Sequence, residues 1–377
     1  NELVDQVLEN DIRYASLYLL GKDLTPCRWN EFEVEKCTLP EAGVDNACIA
    51  IGSPRPSSLE TSPDFRLLAF SSVAFAEKGS PHAAKDPISI ISAATSDGQV
   101  RSFVRSSVSD RDLISEFASF LTEFDPHIVA GFESNSTGWP YLIERARESG
   151  ASLAVGRLGS QPHTSVYGHV SITGRASADM LDYAGELPEV KVKTLENVAA
   201  FLGIKLDAVL PDELELADKW KAPEGKKQLV KCSQEQARAI LEMTRRFLEF
   251  GMELSSLTFM PLDQVATAAV GHRVDSYLMR EAYKQGHLIP RRTEQPYMRY
   301  QGAIVLAPRE GLHENVVSLD FASMYPNLMI LYNLSPDTFI PRSEQMSEDA
   351  CWVIEGLGHR FRKTPPGLYN TALSHLI

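Results

Sequence analysis

The sequence predicts a mixed α/β protein, and three observations support that class. Apolar segments with the length and composition typical of strands recur at 67–70, 88–94, 100–104 and 127–131. A helical pattern covers 110–124, before the last of these segments. Two further stretches, 233–251 and 262–286, carry apolar residues at helical spacing. Paired strands followed by a helix and another strand are typical of a layered α/β domain.

The expected domain boundaries follow from breaks in these patterns. Residues 1–60 are expected to be the end of an N-terminal domain, because the Gly-, Pro- and Ser-rich loop 52–58 precedes the first strand. The α/β domain is expected over 61–288, with a helical C-terminal part that ends near Gly286. A third region, 289–377, is expected to begin with a connector. The apolar stripes of the two long helices are interpreted as core surface and not as cofactor-binding surface.

Composition indicates a globular protein with substantial cores. The chain has 377 residues, of which 44% are hydrophobic and 23% are charged. No apolar run reaches the roughly 18 residues that a membrane helix needs, so no membrane partner is expected. A signal peptide at residue 1 is not expected from the sequence. Its five cysteines lack C-x-x-C spacing, which favours free thiols in a reducing cytoplasm over zinc or disulfides.

The net charge of −13 argues against nucleic-acid binding if it is taken over the whole chain. Locally, however, residues 284–309 hold five basic side chains and one acidic side chain. This basic connector is a candidate phosphate contact. Two other basic clusters, which solvent exposure alone could explain, are Lys219, Lys221, Lys226, Lys227 and Lys231 in a predicted loop, and Arg360, Arg362 and Lys363.

The segment with the clearest chemistry follows the apolar run 316–319, which we predict to be a buried strand. The run delivers Asp320 to the strand end, where its carboxylate and the Phe321 carbonyl could bind a divalent cation such as Mg²⁺. Backbone amides of the following turn could then face phosphate oxygens. The alternative is structural, because an Asp after an apolar strand is often a helix N-cap or a turn residue.

Residues 320–327, Asp-Phe-Ala-Ser-Met-Tyr-Pro-Asn, resemble motif A of family B DNA polymerases, D-F-x-S-L-Y-P-S. Residues 333–338 match the N-x-S-P-D-T sequence that follows this motif in the family. Further resemblances occur in the family's order at 13–24, 86–92, 139–142, 300–303 and 365–368. The chain is therefore identified as a member of the archaeal type of this family. The resemblance implies an RNase H-like exonuclease-type domain, a helical connector and the start of a polymerase palm.

The resemblance also implies roles for individual residues. Asp320 would be the catalytic carboxylate and, with the Phe321 carbonyl, would bind the catalytic Mg²⁺. Residues expected to contact an incoming dNTP are Phe321, Ala322, Ser323, Met324 and Tyr325. Tyr325 has the position of the family's steric gate against ribonucleotides, although it could instead be a core aromatic beside Pro326. Residues expected to contact primer-template DNA are Arg291, Arg292, Arg299, Tyr300 and Gly302.

The exonuclease motifs, in contrast, lack their metal-binding carboxylates. In the family, the first motif reads F-D-x-E, and here its acidic positions are Ser71 and Val73. The Asp of the second motif is Gly138, and the Tyr and Asp of the third are Cys232 and Gln236. Glu235 is adjacent to Gln236 but is rotated from it by roughly 100° on a helix, so it is a poor substitute. We therefore expect the domain to be retained as a fold without 3′→5′ exonuclease activity.

The polymerase motifs also stop early, since neither D-T-D nor K-x-x-x-N-S-x-Y-G occurs before Ile377. We expect either a shortened chain, inactive alone, or one subunit of a split polymerase whose second polypeptide carries the fingers, motif C and thumb. A sliding clamp is a further candidate partner, and a cytoplasmic, nucleoid-associated location is expected. The alternative function is a non-catalytic DNA-binding or scaffold subunit of a replication or repair complex.

Overall fold

A computed structural model describes most of the chain, and its described residues are 9, 12–39, 44, 46–61, 63–165, 168–289, 302 and 304–377. The chain divides into two compact units, one formed by residues 18–273 and the other by residues 1–17 and 274–377. Among the described residues, no helix combines the length and the apolar character needed to cross a membrane.

The helices, in chain order, are α1 Tyr14–Gly21, α2 Arg111–Phe124, α3 Trp139–Ser149, α4 Met180–Ala184, α5 Leu195–Phe201, α6 Glu213–Lys221, α7 Pro223–Thr258, α8 Leu262–Val265, α9 Val270–Lys284, α10 Met324–Leu331 and α11 Leu368–Ser374. The strands are β1 Asn30–Glu31, β2 Val34–Cys37, β3 Ala47–Ala50, β4 Arg55–Pro56, β5 Leu67–Ala74, β6 Ile88–Thr95, β7 Val100–Val104, β8 Ile128–Gly131, β9 His163–Thr164, β10 Val170–Ser171, β11 Ala176–Asp179, β12 Phe339–Ile340, β13 Cys351–Ile354 and β14 His359–Arg362. A π-helical turn spans Ser134–Gly138 and a 3₁₀ turn spans Glu348–Ala350.

The unit formed by residues 18–273 is built on a five-stranded sheet with the order β11-β8-β5-β6-β7. Strand β5 is parallel to β8, which is parallel to β11, whereas β6 is antiparallel to both of its neighbours. Strand β6, the second of these strands in chain order, therefore runs antiparallel to the other four. This topology confirms the predicted mixed α/β class and agrees with an RNase H-like domain.

Strand β5 contributes side chains to both faces of the sheet because successive residues alternate. Leu68 and Phe70 belong to the core cluster that includes Phe117 of α2 and Trp139 of α3. Leu67 and Ala69 belong to the cluster on the opposite face, which includes Ala237, Ile240 and Phe247 of α7. Residues 71 and 73 share the parity of 67 and 69, so their side chains lie beneath the helices of that second face.

The predicted strands at 67–70, 88–94, 100–104 and 127–131 and the helix at 110–124 are confirmed as β5 to β8 and α2. The prediction for 233–251 was too short, because α7 continues its buried face back to Leu229 and starts with Pro223 at its first turn. The single helix predicted over 262–286 is wrong, since α8 and α9 are separate. The break between them includes Thr267, whose hydroxyl donates to Asp182.

The other unit contains a small antiparallel sheet with the order β12-β14-β13. The predicted buried strand over 316–319 is wrong: these residues have no strand conformation, and Leu319 is 90% exposed. Apolar residues form a strand only where another strand supplies hydrogen bonds and cover. No strand among the described residues pairs with this run.

Candidate functional site

The two polar residues that the resemblance assigns to carboxylate positions of the exonuclease motifs, Ser71 and Gln236, lie in contact. The Ser71 hydroxyl on β5 donates to Oε1 of Gln236 on α7 at 2.7 Å. Ser71 is 8% exposed. Both side chains are uncharged, and their hydrogen bond uses part of the hydrogen-bonding capacity of each. The pair therefore supplies no anionic ligand for a metal ion.

The contact belongs to a wider polar seam between the sheet and α7, which we define as Ser71, Ser92, Ser102, Gln234 and Gln236. Ser71 lies opposite Ser92 on β6, and Ser92 lies opposite Ser102 on β7. The hydroxyls of Ser92 and Ser102 are 2.9 Å apart, and Gln234 Nε2 donates to Ser102 Oγ at 3.0 Å. Sequence analysis did not identify the residues at 92, 102 and 234, because their alignment depends on the register between strands.

Val73 is covered by apolar side chains. It is 3% exposed and clusters with Ile90 of β6, Leu216 of α6 and Leu229 of α7. Helices α6 and α7 therefore cover this part of the sheet with apolar side chains. The burial is that of a core residue and leaves no open ligand position at Val73.

Cys232 is also a buried core residue on α7. Its thiol donates to the Val209 carbonyl at 3.1 Å, and burial raises the pKa of this thiol. Glu235, whose side chain is largely buried, forms an ion pair with Arg238 about one turn further along α7.

Gly138 ends the π-helical turn that follows β8. A Cβ added there would meet Ser134 and Phe70 at ordinary distances of 3.6–3.7 Å, so packing leaves room for a side chain. Gly131 differs, because a Cβ there would lie 2.5 Å from Ser134 Cβ.

Among the described residues, no three His, Cys, Asp or Glu side chains come together as a metal-binding group.

Two carboxylates next to this turn form a buried network. Asp179, at the end of β11, accepts hydrogen bonds from the amides of Asn135 and Leu181. The Asn135 side chain donates to Asp182 at 2.9 Å. Burial raises the pKa of Asp179 to about 6, with a further contribution from Asp182 and opposition from the amide hydrogen bonds. Asp179 therefore changes its protonation state under mildly acidic conditions.

We expect this group to reduce the free energy of unfolding as the pH rises from about 4 to about 6. The folded-state pKa of Asp179 is above its unfolded value of 3.8, so the folded state binds the extra proton in this window. A shift of this size corresponds to about 3 kcal/mol, present below pH 4 and lost above pH 6. Urea unfolding between pH 4 and pH 7 measures it, and Asp179→Asn should remove that part of the pH dependence. Equal pH dependence in both proteins would contradict the prediction.

In the other unit, the candidate nucleotide residues form one continuous segment: residues 320–323 precede α10, and Met324 and Tyr325 lie in its first turn. Asp320, Phe321 and Tyr325 are exposed, and Tyr325 retains 69% of its accessible surface, so it is not a core aromatic of the described chain. Ser323, and not Asp320, is the N-cap residue of α10 and has a left-handed conformation with φ 48°. Asn327, which sequence analysis gave no role, fixes the turn by donating to the Ala322 carbonyl at 3.1 Å.

The donor atoms of this turn fit a hard divalent cation in type. The Asp320 carboxylate and the Phe321 carbonyl are oxygen donors of the kind that Mg²⁺ prefers. They would fill only part of its coordination shell. By contrast, the polar seam around Ser71 contains no carboxylate and does not fit the two-metal chemistry of an exonuclease.

Four of the predicted DNA-contact residues, Arg291, Arg292, Arg299 and Tyr300, lie outside the described residues. The fifth, Gly302, is exposed. The lysine cluster at 219–231 lies on α6 and α7 and not in the predicted loop. Three of its members pair with helix neighbours, as Lys219–Glu215, Lys221–Asp218 and Lys227–Glu224, which is typical of a solvated helix surface.

Comparisons with known proteins agree with the sequence resemblance. Residues 6–198 match the family described as DNA polymerase family B, exonuclease domain, and residues 260–365 match DNA polymerase family B. DNA polymerase 2 of Aeropyrum pernix is 38% identical, over 99% of this chain and 47% of its own length. A DNA polymerase of Archaeoglobus fulgidus is 36% identical, over 98% of this chain and 45% of its own length.

A solved structure shows the same relation in three dimensions. The family B DNA polymerase from the hyperthermophilic archaeon Pyrobaculum calidifontis matches with a TM-score of 0.86 and 40% identity. The match covers 99% of this chain and 49% of that chain. The chain thus spans about half the length of the relatives it matches.

Proposed function

The chain belongs to DNA polymerase family B, and on that premise we propose that it is part of a DNA-directed DNA polymerase that extends a primer with dNTPs. The observation that carries this proposal is the exposed segment 320–325, in which Asp320 precedes α10 and Tyr325 lies in the first turn of that helix. Phosphoryl transfer needs positioning and charge stabilisation more than covalent catalysis by the protein. An exposed carboxylate on a fixed turn suits that task.

In this proposal, the Asp320 carboxylate and the Phe321 carbonyl would hold Mg²⁺, which would supply positive charge to stabilise the phosphate oxygens during transfer. The primer 3′-hydroxyl loses its proton to solvent and attacks the α-phosphate of the dNTP. The new phosphodiester bond forms as the bond between the α- and β-phosphates breaks and pyrophosphate leaves. The residues from Phe321 to Met324 line the triphosphate side of the turn. Tyr325 restricts the space beside the sugar and so disfavours ribonucleotides.

The remaining catalytic parts are proposed to come from further polymerase-domain sequence, in the same polypeptide or in a second one. A long exposed apolar surface supports this. Its residues are 75–94% exposed and comprise Ile304, Val305, Leu306, Leu312, Val316, Val317 and Leu319. Such a surface is typical of a protein interface. The motif C, fingers and thumb would cover it and complete the site.

Primer-template DNA is proposed to contact the basic connector at Arg291, Arg292 and Arg299, with Tyr300 and Gly302 near the template backbone. A sliding clamp and association with the nucleoid are consistent with such a polymerase. Primer extension by this chain together with the remaining polymerase domain tests the proposal. Incorporation that follows the template sequence would support it, and its absence from a complex that forms stably would contradict it.

We further propose that the exonuclease-type domain has lost its chemistry. The polar seam is neutral, Val73 is covered by α6 and α7, and Gly138 has no side chain to ligate a metal. A two-metal nuclease requires anionic ligands that concentrate positive charge at the scissile phosphate. The domain would then serve as a rigid support for the rest of the polymerase.

The purified chain is therefore expected to release no nucleotide from the 3′ end of labelled single-stranded DNA in Mg²⁺ or Mn²⁺. The measurement compares the protein with a buffer control and with an active family B exonuclease. Ser71→Ala serves as the matched variant, because a true active site would respond to this change and a structural seam would not. Release above the buffer control that falls in Ser71→Ala would overturn the proposal.

A further inference from the structure

The polar residues of the segment 333–338 hold the start of α11. The amide of Gly367 donates to Asn333 Oδ1 at 2.8 Å. The amide of Leu368 donates to the Asp337 carboxylate at 3.1 Å, and the amide of Tyr369 donates to Ser335 Oγ at 3.1 Å. The first amides of a helix have no partner within the helix. Three of these amides are thus capped by side chains about thirty residues earlier in the chain.

Asn333 is the centre of this arrangement, which we call the capping cradle and define as Asn333, Ser335, Asp337 and Thr338. Asn333 is 2% exposed and has a left-handed backbone with φ 51°, which Asn tolerates better than most residues. Its Nδ2 donates to the carbonyls of Arg362 and Pro365 at 2.8 and 2.9 Å. Both donors and the acceptor of this amide are therefore used, and Asp in its place could not donate.

The cradle is closely fitted and internally hydrogen-bonded. Thr338 Oγ1 donates toward the carbonyls of Asn333 and Ser335, and the Ser335 hydroxyl donates to Asp337. A Cβ on Gly367 would lie 2.5 Å from Ser335 Cβ and 2.8 Å from Thr338 Cγ2. Gly367 has an ordinary φ of −75°, so the position needs glycine for space and not for backbone freedom.

The same contacts connect α11 to α10. Asn333 lies two residues after the end of α10, and Asn370 of α11 donates to the Ile330 carbonyl of α10 at 2.7 Å. Helix α11 is also tied to α9, because the Tyr277 hydroxyl donates to the Ala372 carbonyl at 2.8 Å. The position of α10, whose first turn carries Tyr325, is thus fixed through the cradle.

We propose that Asn333, Ser335 and Asp337 are positioning residues for the nucleotide site, and this inference rests on the proposed polymerase function. They hold α10 against the start of α11 and so set the place of Tyr325 beside the sugar of the incoming nucleotide. None of them touches substrate. Their effect is expected on nucleotide affinity and sugar selection more than on the chemical step.

The test uses Asn333→Asp in the chain assembled with the remaining polymerase domain. Loss of two buried hydrogen bonds is expected to raise the exchange rates of the amides at 367–369 and in α10 about tenfold or more. In primer extension, the KM for dNTP should rise about tenfold and discrimination against ribonucleotides should fall, while kcat changes less than about threefold. Asn197→Asp, the same change at an exposed position of α5, is the matched control.

A second pair of variants keeps the test valid if Asn333→Asp does not fold. Asp337→Asn retains an oxygen that can accept from the Leu368 amide and should resemble wild type, whereas Asp337→Ala should reproduce the rise in KM. A merely structural role would lower the active fraction and hence kcat, with KM and sugar discrimination unchanged. That result in Asp337→Ala, and also in Asn333→Asp if that variant folds, would overturn the inference.

Hydrogen exchange separates this inference from the proposed function because it needs no activity. If wild type shows no templated extension but Asn333→Asp loosens both 367–369 and α10, the polymerase proposal fails and the coupling of the two helices stands. If exchange in α10 is unchanged, the cradle does not position α10 and the inference fails whatever the activity.

Discussion

Asp320→Asn is expected to lower templated dNTP incorporation by the assembled polymerase by about 10²–10³-fold or more, while DNA binding stays within about twofold. The substitution keeps the size and shape of the side chain. It removes the negative charge that would hold Mg²⁺ beside the triphosphate. Because Asp320 is exposed and is not the N-cap of α10, the fold should not depend on its charge.

Single-turnover primer extension measures the incorporation rate, and fluorescence anisotropy with labelled primer-template measures DNA binding. Asp349→Asn is the matched control, since Asp349 is an exposed acidic residue in the same unit, far from the turn in sequence. This control should retain wild-type activity. Equal incorporation rates for wild type and Asp320→Asn would remove the polymerase role of this site and favour the non-catalytic scaffold function.

The fold was predictable where a residue pattern depends on near neighbours. Strand β7 was predicted with its observed bounds, and α2 to within one residue, because alternation and helical periodicity are local. The segment 316–319 has the same apolar character, yet it forms no strand. Its conformation depends on a pairing partner, and sequence composition carries no information about that partner.

The candidate sites show the same limit. The resemblance assigned Ser71 and Gln236 to two metal-carboxylate positions of the family, and their side chains are hydrogen-bonded to each other. The rest of the polar seam and the capping cradle were not predicted. Contacts such as Asn333 to Gly367 join residues far apart in the chain, and neither periodicity nor spacing signals them. The N-x-S-P-D-T resemblance marked the segment, but its hydrogen bonds were needed to give each polar residue a role.

Asp110→Asn is expected to destabilise the unit formed by residues 18–273 by about 3–5 kcal/mol. Asp110 is fully buried and accepts from the Ile88 amide and, through both oxygens, from Arg145. Arg145 also donates to the Ala83 carbonyl. Burial opposes ionisation of Asp110, but the hydrogen bonds from Arg145 and Ile88 outweigh it and lower its pKa. Asn in this place leaves the Arg145 guanidinium buried without a countercharge.

Urea unfolding at pH 7 followed by circular dichroism measures the loss. Glu144→Gln on the same helix as Arg145 is the matched control, because the Glu144–Arg147 pair is exposed and should contribute less than about 1 kcal/mol. A loss for Asp110→Asn no greater than that of the control would contradict the prediction. Because the pKa of Asp110 is lowered in the folded state, its contribution to the free energy of unfolding is present above about pH 4. This contribution is lost as the pH falls further.

The double variant Asp110→Leu with Arg145→Met separates the cost of an unpaired charge from the value of the ion pair. If the loss in Asp110→Asn comes mainly from an uncompensated buried cation, removing both charges should recover most of it. If the double variant is as unstable as the single one, the loss of stability comes mainly from two hydrogen bonds. These are the bond from the Ile88 amide to Asp110 and the bond from Arg145 to the Ala83 carbonyl. A unit without catalytic carboxylates would still keep this buried pair, because Asp110 and Arg145 join the start of β6, the start of α2 and the middle of α3 into one rigid support.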